Sequence, residues 1–368
     1  MIEYESLAKS NEQFMADLEA AATRVIRSGW YVNGQEVSAF EAEFAKFVGA
    51  KHCVGVANGL DALILSIEAL DLPRGSDILV ASNTYIATIL GILRAGHVPV
   101  LVEPVLATFN MDPALLAGAL TPNTRAICVT HMFGKTCRMD AIGAFAKAHG
   151  LKLVEDCAQS HGATLTGRMT GTFGDAGCFS FYPTKNLGAF GDAGAVVTDS
   201  DELADRLRHL RNYGSLQKYV NRYIGVNSRL DELQAALLRV KLTHLHAMTA
   251  HKRALADLYN SNLPAWVHKP VQNADEFDVF HIYGIRHPQR DALRQYLLDS
   301  GIKTEVHYPI APNRQEAMRG VLSGSYPIAE EQHATELSLP ISNGTTAADV
   351  HQICKVFASA PANLARSS

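Results

Sequence analysis

Six cysteines, at positions 53, 128, 137, 157, 178 and 354, are spread over 368 residues with no Cys-x-x-Cys pair and no zinc-ligand spacing. This speaks against a disulfide scaffold and a structural zinc site, and the thiols are expected to be free and buried in apolar strands. No block of like charge stands out, and the formal charge is only -4. Neither a nucleic-acid footprint nor a polybasic membrane patch is supported. Apolar runs stop well short of the roughly 20 residues that a spanning helix needs. The opening "MIEYESLAKSNEQF" lacks the basic-then-apolar layout of a signal peptide, so a cytoplasmic location is expected. There is no GxxxxGK[ST] phosphate loop, no internal repeat and no low-complexity segment. Of fifteen histidines, His244 and His246 form an HxH, but residues two apart on a helix face different ways, so no metal is expected.

What remains is an ordinary globular composition, 47% hydrophobic and 19% charged, long enough for about two domains. Short β-branched runs alternate with helical patterns: "HCVGVAN", "GLDALILSIEAL", "SDILVAS", "TYIATILGILRAG", "VPVLVEP", "RAICVTH", "MDAIGAFAKAHG", "LKLVEDCA", "AGCFSFY" and "GAVVTD". This alternation predicts an α/β fold, with a mostly parallel sheet covered by helices on both faces. One strongly helical stretch, "SRLDELQAALLRVKLTHLHAMTAHKRALADLYNSN", follows. Beyond it a smaller α+β unit is expected, with strands at "DVFHIYGIRH" and "IKTEVHYP" around a helix at "RDALRQYLLDSG". The predicted division is a large domain over 1–245 and a small C-terminal one over 246–368.

In open α/β sheets ligands sit at the carboxyl ends of strands, and three stretches carry suitable chemistry there. In "VANGLDAL", Asn58-Gly59 joins a strand to a helix whose opening N–H groups attract phosphate; a plain structural turn is the alternative. In "LKLVEDCAQSHGA", a strand runs into Glu155-Asp156, and a buried carboxylate needs a partner such as a cationic nitrogen; the alternative is a loop-bracing aspartate. In "GCFSFYPTKNLGAFGDAGAVVT", Lys185 is the one lysine between Lys152 and Lys218. In a dry glycine-lined turn its ammonium is disfavoured, and the free amine can form a Schiff base with an aldehyde. A phosphate-binding or a snorkelling surface lysine are its alternatives. One ligand combining a phosphate, a protonated ring nitrogen and an aldehyde satisfies all three stretches, and pyridoxal phosphate is such a ligand.

"VEDCAQSHGA", "GCFSFYPTKNLGAFGDAGAVVT" and "YIGVNSRLDELQAALLRVKL" closely resemble the DegT/DnrJ/EryC1/StrS family of sugar aminotransferases, over nearly the whole chain. The resemblance implies an aspartate aminotransferase-like (type I) fold and pyridoxal 5'-phosphate as cofactor. By position, it implies that Lys185 is the Schiff-base lysine and proton shuttle, that Asp156 holds the pyridinium proton, and that Gln159 reaches the ring's phenolic oxygen. Gly59, Leu60 and Ser180 would hold the phosphate, with Asn227 arriving from the neighbouring subunit of a homodimer, and Tyr85 would stack on the ring unless it is a packed core tyrosine. Two departures, Glu103 and Val105 where aspartates are usual and "FGKTC" for an FG/YG-x-P-x run, touch loop shape only.

The same resemblance implies L-glutamate as donor, one lysine serving both half-reactions, and ping-pong kinetics. Arg229 suits the donor carboxylate, although an arginine at a helix start is as often an ion-pair partner. Trp30, Tyr31, His307 and Tyr308 are placed to meet a nucleotide-linked keto sugar. "VNSR" and "VHYPIAPNRQEA" are most like members aminating C3 of dTDP-linked 3-keto-6-deoxyhexoses. Amination at C4 and a UDP- or GDP-linked sugar are the alternatives. A sugar dehydratase of the same fold carries histidine at the lysine position, and a cofactor-binding regulator would add a DNA-binding module.

Overall fold

A computed structural model of the chain describes residues 1–365. The strands are β1 His52–Val56, β2 Asp77–Ala81, β3 Val98–Val102, β4 Thr124–Thr130, β5 Lys152–Asp156, β6 Thr164–Leu165, β7 Arg168–Met169, β8 Ala176–Ser180, β9 Gly194–Thr198, β10 Glu276–Phe277, β11 Tyr283–Arg286 and β12 Glu336–Leu339. Seven of them form one sheet, ordered β1-β9-β8-β5-β4-β2-β3. Its four central and right-hand pairings are parallel. Strand β9 is antiparallel to both β8 and β1, which leaves β1 running in the direction of the parallel block. The predicted mostly parallel α/β sheet is thus present, and Pro99 falls on β3, an edge strand where a missing N–H disrupts no ladder on its free side.

Period-two alternation sorts the strand residues onto two apolar faces. Val54, Val56, Ile78, Val80, Cys128, Val154, Cys178 and Val196 pack under the helices Gly59–Ala69 and Asp201–Leu210. On the other face Leu79, Ile127, Val129 and Leu153 meet the helix Met139–Ala148, while Cys53, Phe179, Ala195 and Val197 meet Phe40 and Phe44 of the helix Gln35–Val48. All six cysteines are free and buried in these layers or the smaller core. No helix among the described residues is long and apolar enough to cross a membrane.

Three sequence expectations change. The single long helix is two, Glu232–Leu242 and Leu245–Asn262. At the break Thr243 bonds its hydroxyl back to Val240 O at 2.8 Å and His244 N closes a tight turn on Lys241 O, the local competition that interrupts helices at threonine. His244 and His246 then pack on different rings, Phe14 and Phe47. "IKTEVHYP" is not a strand: Glu305 makes an isolated bridge to Ser338, and the next ladder donor, His307 N, goes instead to the Glu336 carboxylate at 2.7 Å. The partner of β11 is β12, whose "ELSL" hides its strand character behind Glu336 and Ser338, both buried. Finally, only the second half of "DVFHIYGIRH" is a strand, because Val279 N and Ile282 N bond to the turn at Phe133-Gly134.

The smaller core gathers Leu255, Tyr259, Tyr283, Leu293, Leu337, Ile353 and Phe357. It draws in the start of the chain as well, since Ile2 bridges Ile302.

Candidate active site

The carboxyl ends of β4, β5 and β8 open into a cavity of about 550 Å³ that is also walled by the smaller unit through His281, His307 and Tyr308. It lies where ligands are expected on such a sheet. Gly59, Leu60, Tyr85, Asp156, Gln159, Ser180, Lys185, His307 and Tyr308, nine of the residues singled out from the sequence, line it together.

Lys185 sits on the connection between β8 and β9, where its N–H bonds to Tyr182 O at 2.8 Å and flanking Phe181 and Ala189 pair with one another. Burial lowers its amine from the ordinary lysine range to about 8, against the attraction of Asp156 and Glu5. No hydrogen bond among the described residues holds the ammonium form. An amine so placed is a usable nucleophile near neutral pH.

Glu155 and Asp156 end β5 side by side, and strand alternation sends them to opposite faces. Glu155 braces the loop after β7, accepting from the N–H groups of Gly171, Phe173 and Gly174 at 2.7–2.8 Å and meeting His131 Nε2 at 3.0 Å. Cys157 lies close to this pair, but the backbone donors already occupy the carboxylate. Asp156 instead lines the cavity, 5% exposed. Burial pushes its carboxyl up, while hydrogen bonds from Thr88 Oγ1 at 2.7 Å and Ala158 N at 3.1 Å oppose the shift. A ligand cation would complete the compensation.

Asn58 caps the helix Gly59–Ala69, accepting from Asp61 N at 2.8 Å, so the N–H groups at its start are turned towards the cavity mouth. A Cβ on Gly59 would stand 2.5 Å from Ser180 Cβ; glycine is what lets this turn approach Ser180. An anion cradle, a buried carboxylate and an uncommitted amine therefore share one cavity, and these are the three groups that pyridoxal phosphate requires. The residues fit the cofactor.

The other walls are aromatic and imidazole. Gln159 accepts from Phe133 N at 2.6 Å and donates to Tyr308 Oη at 3.0 Å, and Tyr308 lies 4.8 Å from Tyr85, ring to ring. Tyr85 is 48% exposed, which is not the packing of a core tyrosine. Burial holds the His307 imidazole at about 4, so it is neutral.

Trp30, Tyr31, Asn227 and Arg229 do not reach the cavity within one chain. They gather on another surface, where Val32 bridges Asp231 and Asn227 bridges Asn212. Trp30 and Tyr31 are exposed and bond to Val32 O and Ile26 O. Arg229 donates to Asn212 Oδ1 at 2.9 Å and lies over the Tyr213 ring. Two residues that bear on the site escaped the sequence reading. Thr88, fully buried behind the cavity, reaches it through its hydrogen bond to Asp156; it was concealed by its apolar helix, though a threonine beneath Tyr85 at helical spacing was the available signal. His281 was read as part of a strand, and an imidazole inside "VFHIY" was the mark it left.

Residues 13–358 match the DegT/DnrJ/EryC1/StrS aminotransferase family. A dTDP-3-amino-3,6-dideoxy-alpha-D-galactopyranose transaminase of Aneurinibacillus thermoaerophilus is 46% identical over 96% of this chain and 98% of its own. The crystal structure of Streptomyces venezuelae DesV superposes with a TM-score of 0.93 at 43% identity, covering 95% of this chain and 96% of that one. Bacillus subtilis NtdA, crystallised with its cofactor PMP, superposes at 0.89 with 26% identity, covering 96% and 83%. The chain therefore belongs to the DegT/DnrJ/EryC1/StrS aminotransferase family, whose members are pyridoxal-phosphate enzymes.

Proposed function

We propose that this sugar aminotransferase moves an amino group from L-glutamate to C3 of a dTDP-linked 3-keto-6-deoxyhexose, yielding a dTDP-3-amino-3,6-dideoxyhexose in the cytoplasm. The observation that carries the reaction type is the uncommitted Lys185 amine sharing a cavity with the Asp156 carboxylate. The choice of sugar draws on likeness to the Aneurinibacillus transaminase.

When bound, pyridoxal phosphate supplies an aldehyde for an amine and a ring that withdraws electrons while its nitrogen is protonated. Lys185 would hold the cofactor at rest and, freed from it, would take the donor's α-proton at Nζ and return a proton in each half-reaction. Asp156, held by Thr88 and Ala158, would keep a proton on the ring nitrogen. Gln159 and Tyr85 would hold the ring, and Gly59, Leu60 and Ser180 would hold the phosphate. Neutral His307 and the Tyr308 hydroxyl meet the sugar's oxygens.

A homodimer completes this scheme, with Asn227 reaching the phosphate of the neighbouring site and Trp30, Tyr31 and Arg229 meeting the nucleotide-sugar and donor there. Support comes from the same surface: Tyr213, Leu216, Tyr219 and Ile224 are all more than half exposed around it, an apolar area that water alone does not explain.

The cradle gives a graded prediction. Gly59→Ala is expected to weaken cofactor binding about tenfold, or ~1.4 kcal/mol, because the added methyl forces the helix start and Ser180 apart; the dissociation constant of the cofactor from the purified chain measures it.

The substrate is tested by incubating the full chain with glutamate and a panel of keto sugars, identifying products by mass and NMR. The 3-keto dTDP sugar should be aminated. Amination of the 4-keto isomer, or of a UDP-linked sugar, with the dTDP 3-keto compound untouched would overturn the assignment.

A further inference from the structure

His307 lines the cavity, and its ring is tied at one nitrogen. Nδ1 meets Ser338 Oγ at 2.8 Å, and no hydrogen bond among the described residues reaches Nε2, the nitrogen left for a ligand. Ser338 Oγ in turn lies 2.5 Å from Glu336 Oε1, while Glu336 Oε2 accepts from the backbone N–H of His307 at 2.7 Å. Glu336 and Ser338 are two apart on β12 and so share one face of it. They are 1% and 0% exposed, and the scheme above gives neither a part. Burying a carboxyl and a hydroxyl there is costly unless each is bonded, and the bonds they make lead to His307.

A serine hydroxyl has one proton and gives it to one neighbour at a time. With Glu336 as a carboxylate, Ser338 donates to Glu336, accepts from Nδ1–H, and leaves Nε2 as a bare lone pair. With Glu336 as a carboxylic acid, Glu336 donates to Ser338, Ser338 donates to Nδ1, and Nε2 carries the proton. The bond made at one ring nitrogen thus decides the state of the other. We propose that Glu336 and Ser338 are positioning residues for His307: they hold its ring with Nε2–H as a donor to an oxygen of the keto sugar, and turn Nε2 into an acceptor when Glu336 gives up its proton. The inference rests on the reading of His307 as a residue that meets the sugar. The reversal balances. The Glu336 proton passes to Ser338 Oγ, the hydroxyl's own proton passes to Nδ1, and the Nε2 proton leaves through the cavity, so the three groups lose one proton between them.

The surroundings favour the acid form at neutral pH. Glu336 has no ion pair among the described residues, because Arg290 spends its guanidinium on Asp291 and on the backbone oxygens of His333 and Glu336. Burial pushes the Glu336 carboxyl up to about 8, against the hydrogen bonds from Ser338 and His307 N and the attraction of Arg290. The other groups around the chain do not compete for its proton. Burial keeps Tyr4 and Tyr308 un-ionised and His281 and His333 neutral. Burial and the Lys185 charge hold His307 itself neutral. Glu305, beside Arg294, is about half exposed.

The test uses the holoenzyme with its histidines labelled by nitrogen-15, the His307 signals being identified by their loss in His307→Gln. Ring-nitrogen shifts tell an N–H from a lone pair. At pH 7 the proton should sit on Nε2, and between pH 7 and 9 it should move to Nδ1 with a midpoint near 8, the ratio of the two forms falling about tenfold per pH unit. Glu336→Gln places an amide that donates to Ser338 and accepts from His307 N, as the acid does; it should keep Nε2–H through pH 9. Ser338→Ala should abolish the swap by breaking the chain. A structural role alone predicts a ring indifferent to pH in all three proteins. A proton on Nδ1 at pH 7 in the parent overturns the proposal, and so does a swap that survives in Glu336→Gln. Should either variant lack the native circular dichroism, the parent decides by itself, since no swap between pH 7 and 9 overturns the proposal equally. An unchanged KM for the dTDP-linked 3-keto sugar in His307→Gln defeats the reading that His307 meets the sugar, whereas the spectra judge Glu336 and Ser338.

Discussion

Lys185→Ala is expected to lower transamination by about 10⁴-fold, the upper range for a positioned proton-transfer group, and to leave the protein folded. Among the described residues the side chain makes no hydrogen bond whose loss would strand a partner, and the loop around it is held by backbone bonds of Phe181 and Ala189. Truncation also removes a buried amine whose ammonium form is disfavoured, so stability should not suffer. Two measurements separate chemistry from folding. Borohydride treatment followed by peptide mapping should find a pyridoxyl group at position 185 of the parent protein and none in the variant, while the melting temperature changes little. A variant that keeps a tenth of the parent's rate would remove Lys185 from the reaction.

Asp156→Asn should reduce kcat by about 10²–10³-fold, the range for deleting one preorganised electrostatic group, with the cofactor still bound. An amide fills the same space but cannot hold a ring proton by charge. The variant carries a second expectation of opposite sign. Burial raises the Asp156 carboxyl above the unfolded value of 3.8, so between those two values the native chain binds more protons than the unfolded one. Stability due to this group therefore falls as pH rises through that window and stays reduced above it. Removing the charge should leave the cofactor-free variant at least as heat-stable as the parent at pH 7. Loss of rate together with a marked drop in melting temperature would instead make Asp156 a structural carboxylate.

Much of this was legible in the sequence because local rules dominated it. Strand alternation, the Asn58 cap and the glycine at its foot are set within a few residues. The end-of-strand position of Asp156 followed from the apolar run before it. What stayed hidden depended on partners distant in the chain. Thr88 is one of several helix residues until the fold brings it 2.7 Å from Asp156, 68 positions on. Strand β12 exists because Glu336 and Ser338 are satisfied by His307, which no local pattern announces. The helix break at Thr243 was present as a single residue in a long periodic stretch, where periodicity outvoted it. Trp30, Tyr31, Asn227 and Arg229 gather away from the cavity for the same reason: their order along the chain does not say which surface they reach.

The antiparallel pair β8–β9 has one more effect. Its connecting segment is anchored at each end by neighbouring strands of the same sheet, so the amine it carries has little room to wander. A free lysine in water would have to search for a carbonyl and surrender its motional freedom at each encounter. Here that loss was met once, when the chain folded, and every later encounter starts from a reactant already aimed.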